Sequence, residues 1–289
     1  MIIDFRVNPP TPKGMARFTN PPPRMKRYTE LYPPGSFHQK QEQVCMPVER
    51  FLQFLDAEGV DKVVLFAGDI GTTYGSRYPN EELAEYVNQA PDRLIGFAGA
   101  DPHKGVQAVR DFERAVKELG LKGLNMGPWE HRLRADDRKY YPLYEKCVEL
   151  DVPVILHTSV NLSRELYMDF GRPLYLDRVA VDFPDLKIVA SHGGWPWVPE
   201  MVAVAYRHPT VYIELSGMRP KYIGTPHSGW ETLLQFGNSV LQDQVLFGTD
   251  YPLLPMRRTV EEIRQLPLKE EVKGKWLGGN AARLLKISS

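Results

Sequence analysis

The chain has 289 residues, 43% hydrophobic and 25% charged, which are ordinary proportions for a globular protein. Lysine plus arginine and aspartate plus glutamate each number 36, so a general affinity for nucleic acid or acidic membrane is not expected. Cys45 and Cys147 form neither a CxxC pair nor a disulfide framework. No apolar run approaches the ~20 residues that span a bilayer, and the amino terminus resembles a strand rather than a signal peptide, so we expect a cytoplasmic protein.

Short apolar runs alternate with amphipathic helical patterns along the chain. Continuous runs such as KVVLFA and VPVILH are typical of parallel strands that are buried on both faces. Eight repeats predict an α/β fold, a closed (β/α)8 TIM barrel that takes up residues 1–289 as a single domain. An open doubly wound sheet is the alternative, but no GxGxxG follows the first strand. The predicted strands are 2–7, 62–67, 94–100, 121–126, 152–157, 186–192, 211–216 and 244–250.

A long insertion over residues 9–44 follows the first predicted strand. It holds eight prolines and shows no periodic pattern. In a barrel this segment emerges at the carboxyl-terminal face, where barrel enzymes have their active sites. One interpretation is a lid that attracts an anionic substrate, and the other is a solvated surface loop or a contact in a homo-oligomer. Its basic residues outnumber its acidic ones: Lys13, Arg17, Arg24, Lys26, Arg27 and Lys40 against Glu30 and Glu42.

Chemically active residues end several predicted strands, and in a barrel these ends face the mouth. Strands five, six and eight end in His157, His192 and Asp250, which are costly to bury without partners. A lone histidine at a strand end is usually a hydrogen-bonded core residue, but three such residues at equivalent positions predict a shared catalytic site. Strand seven ends in Glu214 and Ser216. Candidate substrate-binding residues at or near the mouth are Arg6, Asn8, Lys122, Asn125, Trp195 and Tyr251.

Four motifs carry a resemblance to a known family. VLFGTDYPLLP and GNAARLLK, with VILHTS and IVASHGGWPW upstream, resemble the amidohydrolase-related metal-dependent hydrolases. That family includes decarboxylases of the aminocarboxymuconate and dihydroxybenzoate type, hydratases, and lactonases of pyrone dicarboxylates. The resemblance covers almost the whole chain in order. It implies that His157 and Asp250 bind a divalent metal and that His192 acts as an acid or base.

The first strand departs from the family pattern Asp-x-His-x-His, because it has Arg6 and Asn8 where the two histidines stand. Arginine cannot lose its proton to become a ligand, and Asn8 offers at most one carbonyl oxygen. We therefore expect no cofactor, or a weakly bound divalent metal (Zn or Mn) at a degenerate site of His157 and Asp250. Arg6 would then pair with Asp250 or clamp a substrate carboxylate.

These residues predict a hydrolase, lactonase-like or amidase-like, that acts on a small carboxylated molecule. Asp250 would activate water, while His157 and His192 polarise the scissile carbonyl or protonate the leaving group. Two alternatives stay open. One is a nonoxidative decarboxylase of the same family, against which the loss of the first-strand ligands counts. The other is a degenerate barrel that binds a ligand without turnover.

Overall fold

A computed structural model of the chain describes residues 1–32 and 36–287. Eight parallel strands neighbour one another in chain order. Hydrogen bonds from the Phe5 amide to the Phe247 carbonyl (2.9 Å) and from the Asp250 amide to the Arg6 carbonyl (2.8 Å) join the first strand to the last. The predicted TIM barrel is confirmed. The strands are β1 (Ile3–Val7), β2 (Lys62–Phe66), β3 (Leu94–Gly99), β4 (Leu124–Met126), β5 (Val154–His157), β6 (Ile188–Ser191), β7 (Val211–Glu214) and β8 (Val245–Leu246).

Helices connect the strands. A small antiparallel hairpin after β2, Gly68–Ile70 with Ser76–Tyr78, has no counterpart in the sequence prediction. The α-helices are Ala16–Thr19, Lys26–Leu31, Gln41–Val44, Val48–Glu58, Gly71–Tyr74, Asn80–Val87, Val106–Lys117, Pro128–His131, Tyr141–Glu149, Leu174–Asp182, Val198–Arg207, Pro220–Ile223, Glu231–Gly237, Met256–Arg264, Glu270–Gly274 and Asn280–Leu285. Single-turn 3-10 helices are Pro23–Met25, Pro102–Lys104, Met168–Gly171 and His192–Gly194, and Lys275–Gly279 is a π-helix.

Alternation along the strands produces two hydrophobic layers. One face packs against the helices, as Leu65 does with Phe51 and Leu55 of the helix Val48–Glu58. The opposite face forms a second cluster that includes Phe66 and Phe97. Because the eight strands are parallel, their carboxyl-terminal ends meet at one mouth, which brings together His157 at the end of β5, His192 just after β6 and Asp250 after β8.

The insertion after β1 contains short helices rather than an extended loop. Met15, Phe18, Met25 and Phe37 pack with Trp129 of the barrel in a cluster of their own. The backbone amide of Leu162 donates a hydrogen bond (3.0 Å) to the hydroxyl of Tyr28, which ties the insertion to the loop after β5. Two of the eight prolines, Pro33 and Pro34, lie outside the described residues. Within the described ranges, no helix is long and apolar enough to cross a membrane.

Candidate active site

A cavity of about 170 Å³ opens at the carboxyl-terminal ends of the strands. A dry cavity of ~150 Å³ accommodates benzene, so this one has room for a single ring. Its polar lining includes Arg6, Asn125, His157, His192, Ser216 and Asp250, and its aromatic lining consists of Phe18, Tyr28, Tyr32, Phe37, Trp129 and Trp195. The predicted catalytic residues therefore meet in one cavity.

Arg6 lies at the end of β1 beside Asp250. Its Nε is 3.6 Å from Oδ1 of Asp250, an ion pair that is too long for a hydrogen bond, and the two side chains are only 10% and 14% exposed. The guanidinium carbon lies 4.9 Å from the centre of the Phe66 ring. Neither Nε nor Nη1 finds a hydrogen-bond partner in the described part of the chain. A buried guanidinium with free donors is well suited to an anionic oxygen of a ligand.

Asn8 holds Asp250 in place. Its Nδ2 donates to Oδ1 of Asp250 (2.9 Å) and to the carbonyl of Tyr251 (2.8 Å). Both partners are acceptors, so the amide nitrogen, not the amide oxygen, faces Asp250. Asp250 needs this support because its φ of 56° lies in the left-handed region, which costs a non-glycine residue free energy. Asn8 is absent from the cavity wall, so the structure gives it a positioning role instead of the predicted substrate contact.

The two histidines form a neutral pair in this cavity. Their ring centres are 4.8 Å apart. Burial, followed by the neighbouring His192 and Arg6, lowers the pKa of His157 well below its ordinary value. Burial and the charge of Arg6 lower the pKa of His192 to about 3. Both imidazoles are therefore uncharged near neutral pH, and each can donate one hydrogen bond and accept another.

Of the four other predicted substrate-binding residues, two line the cavity and two do not. Trp195 lines the cavity, and so does Asn125, whose Nδ2 donates to the Ala67 carbonyl (2.9 Å). Lys122 is exposed and precedes β4, so it lies at the amino-terminal end of that strand. The prediction that it lies at the mouth is wrong. The ring of Tyr251 packs against Phe54, with centres 5.1 Å apart, and does not line the cavity.

Sequence reasoning missed four aromatic residues of the cavity wall and gave no role to Glu214 and Ser216. Phe18, Tyr28, Tyr32 and Phe37 come from the insertion, where the only signal was a set of aromatic residues in a proline-rich segment. Glu214 is the last residue of β7, Ser216 follows it by two residues, and both are fully buried. Burial raises the pKa of Glu214 to about 7, although Arg6 opposes the shift. The sequence signal that could have identified Glu214 is a carboxyl residue at the end of a buried strand.

The side chains at this site do not fit a resident divalent cation. Asp250 is flanked by the Arg6 guanidinium and by the amide NH2 of Asn8, two groups that cannot bind a metal through the atoms they present. That leaves His157 and Asp250 from the ligand set implied by the family. In residues 1–32 and 36–287, no three His, Cys, Asp or Glu side chains come together as a ligand group.

The fold and the site together define a TIM barrel with a polar cavity at its carboxyl-terminal mouth, lined by two imidazoles, the carboxylates of Asp250 and Glu130, and the guanidinium groups of Arg6 and Arg17. The amidohydrolase family model (Amidohydro_2) matches residues 13–287, so the chain belongs to this family.

Two curated relatives that match most of the chain are decarboxylases. The 2-amino-3-carboxymuconate-6-semialdehyde decarboxylase of Dictyostelium discoideum is 23% identical over 293 residues, covering 88% of this chain and 80% of that protein. The γ-resorcylate decarboxylase of Polaromonas sp. strain JS666 is 24% identical over 294 residues, covering 83% of this chain and 87% of that protein.

Solved structures agree on the fold. An uncharacterised TIM-barrel protein from Bordetella bronchiseptica has a TM-score of 0.80 and 29% identity, covering 99% of this chain and 98% of that one. A dihydroxybenzoic acid decarboxylase from Polaromonas sp. JS666, solved with manganese and the inhibitor 2-nitroresorcinol, has a TM-score of 0.67 and 23% identity over 99% and 96% of the two chains. A divalent metal therefore occurs in a structural neighbour.

The prediction of a lactone or amide hydrolase is wrong, because these curated relatives are decarboxylases. Its weak step was to treat the loss of the first-strand histidines as evidence against decarboxylation. The site also leaves little room for an attacking water at Oδ1 of Asp250, because this oxygen already accepts from Asn8 and faces Arg6.

Proposed function

We propose that this protein is a nonoxidative decarboxylase of a small planar carboxylate, and that Arg6 holds an anionic oxygen of the substrate. The observation that carries the proposal is a pair of buried Arg6 nitrogens without a hydrogen-bond partner among the described residues, in a cavity with an aromatic wall. A buried donor without a partner costs about 1–3 kcal/mol, which a substrate oxygen would relieve. The decarboxylase relatives support the reaction class.

The reaction fits the charges of the site. A carboxylate R–COO⁻ and one proton become R–H and CO2: the carbon–carbon bond breaks, its electron pair stays on the substrate, and the proton adds to that carbon. Negative charge moves from the carboxylate into the conjugated system during this step. Arg6 stabilises this charge without giving up a proton, since its guanidinium stays protonated at all working pH values.

His157 and His192 orient the substrate as neutral hydrogen-bonding groups. Because burial keeps both pKa values low, neither adds a second positive charge that would hold the substrate carboxylate too firmly. Asp250, fixed by Asn8, lines the same cavity, and its carboxylate forms the ion pair with the Arg6 guanidinium. We assign Asp250 to holding the Arg6 guanidinium in position for the substrate oxygen.

The insertion completes the cavity in this proposal. Residues 9–44 place Tyr28 and Phe37 on its wall, and Tyr28 lies stacked near Trp129 with ring centres 6.3 Å apart. A ring-bearing substrate would lie between this wall and the polar strand ends, shielded from water. Arg17, also on the wall, adds a second cation for an acidic ligand.

Release of CO2 tests the function directly. Purified protein is incubated with a panel of carboxylates that includes γ-resorcylate and 2-amino-3-carboxymuconate-6-semialdehyde, and CO2 is measured against substrate loss. We expect stoichiometric CO2 from at least one member, loss of activity in Arg6→Ala and partial activity in Arg6→Lys. The control is Arg110→Ala, which alters an exposed arginine outside the cavity. Substrate binding without CO2 from any member would contradict the reaction and favour a binding barrel.

A further inference from the structure

A continuous chain of hydrogen-bonding groups leads from the buried end of β7 to the cavity. Oγ of Ser216 lies 2.8 Å from Oε2 of Glu214 and 3.0 Å from Nδ1 of His192. Nδ1 is also 3.0 Å from the backbone carbonyl of Ser216. The opposite ring nitrogen, Nε2, belongs to a ring that lines the cavity, and no described residue is hydrogen bonded to it.

The backbone fixes the carboxyl group of Glu214 in this arrangement. The amide of Ser216 donates to Oε1 (2.6 Å), which leaves Oε2 for the serine hydroxyl. Gly248 on the neighbouring segment makes room, because a Cβ atom there would come within 2.0 Å of Oε1. Glu214 and Ser216 are both 0% exposed, so water cannot replace either contact.

A serine hydroxyl has one proton, and this proton can serve only one of its two neighbours at a time. When Glu214 is ionised, the hydroxyl of Ser216 donates to Oε2, so Nδ1 of His192 must carry a proton of its own and donate to the Ser216 carbonyl. When Glu214 is protonated, it donates to Oγ, and the hydroxyl is free to donate to Nδ1. The ring proton of a neutral His192 then sits on Nε2.

We infer that Glu214, acting through Ser216, sets which ring nitrogen of His192 carries the proton, and so decides whether Nε2 meets the substrate as a donor or as an acceptor. Glu214 is thus a positioning residue that never touches the ligand. Nothing in the family motifs that identified His157, His192 and Asp250 assigns it such a role.

The groups around Glu214 set the pH at which the proton of His192 changes from one ring nitrogen to the other, and this pH lies near neutrality. Burial raises the pKa of Glu214 to about 7, the charge of Arg6 lowers it, and Asp250 raises it. Asp4 on β1 is the other buried carboxyl that interacts with Glu214, and burial raises its own pKa to about 8. His192 itself stays neutral, because its pKa is about 3, so the change at its ring is a shift of one proton between two nitrogens.

The inference deepens the proposed function, since decarboxylation requires a proton at the reacting carbon. If Nε2 gives its proton to that carbon, Nδ1 takes the proton of the Ser216 hydroxyl and Ser216 takes one from Glu214. The ring then ends neutral with its proton on Nδ1, and Glu214 ends ionised. Because Glu214 is 0% exposed, its proton returns by the reverse path: a proton from the cavity adds to Nε2, Nδ1 gives its proton to Ser216, and Ser216 gives one to Glu214 before the next turnover. Neutral Glu214 is the competent form in this scheme.

Nitrogen NMR on the whole protein tests the tautomer without any substrate. Histidine is labelled with 15N, and His192 is identified by the signals that disappear in His192→Gln. We expect the wild type to carry the proton on Nε2 at pH 5.5 and on Nδ1 at pH 8.5. Glu214→Gln should keep it on Nε2 at both values, because its amide NH2 replaces Oε2 and donates permanently to Ser216.

Ser216→Ala provides the matched test, since it removes the hydroxyl and keeps the carbonyl. It should hold the proton on Nδ1 at both pH values, and this result stays informative even if Glu214→Gln fails to fold. An unchanged tautomer in the wild type between pH 5.5 and pH 8.5 would overturn the inference, as would a pH-driven switch that persists in Ser216→Ala.

Activity separates this inference from the proposed function. If the protein decarboxylates, wild-type kcat should fall about tenfold for each pH unit above the pKa of Glu214, while kcat of Glu214→Gln should be low and independent of pH over that range, because the glutamine amide cannot supply the proton that Ser216 takes. A tautomer switch in a protein that releases no CO2 would reject the function and leave the relay standing. A level wild-type profile together with a fixed tautomer would reject the relay and leave the function standing.

Discussion

Replacing Arg6 by methionine removes its charge and keeps most of its length, which separates the stabilising role of Arg6 from its role in ligand binding. The ion pair with Asp250 has a charge separation of 3.6 Å. At an effective dielectric constant of about 20, the attraction is about 4.6 kcal/mol before desolvation. This attraction is opposed by the cost of burying Nε and Nη1 without a hydrogen-bond partner among the described residues, which is about 1–3 kcal/mol for each nitrogen. The two effects nearly cancel, so we expect Arg6→Met to change the free energy of unfolding by less than about 2 kcal/mol.

Urea unfolding at pH 7 measures this change, with Arg110→Met as the control on the exposed face of a helix. Binding of the carboxylate that gives CO2 in the substrate panel, measured by calorimetry, should by contrast fall by at least about 30-fold, the equivalent of about 2 kcal/mol. A destabilisation of 4 kcal/mol or more, with ligand affinity unchanged, would refute the reasoning. It would mean that Arg6 serves the folded barrel through its ion pair and that its free donors do not await a ligand.

The other predictions concern different parts of the site. The pKa of Glu214 is raised from 4.5 to about 7, so the stability that its protonated form contributes is complete below pH 4.5 and is lost as pH rises through 7. Between pH 5 and pH 8.5, the free energy of unfolding of Glu214→Gln, measured in urea, should therefore rise by about 3 kcal/mol relative to that of the wild type. Tyr28→Ala should raise KM for a ring-bearing substrate more than it lowers kcat, and Lys122→Ala should change neither constant in the same steady-state assay. Arg6→His with Asn8→His should gain binding of Mn²⁺ or Zn²⁺ by titration calorimetry.

The barrel could be predicted from sequence because its signal is repeated and local. Continuous apolar runs identified all eight strands, and the repeats gave their parallel order. Strand ends were less predictable: the eighth run extends to residue 250, but β8 is only Val245–Leu246. After Leu246 the chain still contacts β1, while Asp250 takes a left-handed conformation that no apolar pattern records. Hydrophobicity predicts burial, and it does not report where strand geometry ends.

The helices of the insertion could not be predicted from the hydrophobic pattern, for a different physical reason. Its helices are short, and short helices gain little from local propensity. They are held by packing of residues such as Phe18 and Met25 against Trp129, a contact between distant parts of the chain. Lys122 was misplaced because the whole run 121–126 was taken as strand, whereas β4 begins only at Leu124.

The site itself was partly predictable. His157, His192 and Asp250 were found from strand ends alone, and all three line the cavity. A spacing of two along the predicted strand 211–216 places Glu214 and Ser216 on one face, although β7 itself ends at Glu214. Their link to His192 does not follow, because it depends on the neighbouring β6 and β7 and on the left-handed φ of 68° at His192.

The double substitution Arg6→His with Asn8→His addresses what distinguishes this site from a metal centre. In the present chain a fixed positive charge stands 3.6 Å from Asp250, and an amide NH2 occupies one of its oxygens. A divalent cation near Asp250 would face the repulsion of Arg6 and could gain no ligand from Asn8 through its nitrogen. Two histidines remove that repulsion and supply two neutral nitrogens, which with His157 and Asp250 make four ligands. We expect one Mn²⁺ or Zn²⁺ per chain in the double variant and binding at least about tenfold weaker in each single variant. Equal affinity in the wild type and the double variant would show that Arg6 does not keep the metal out.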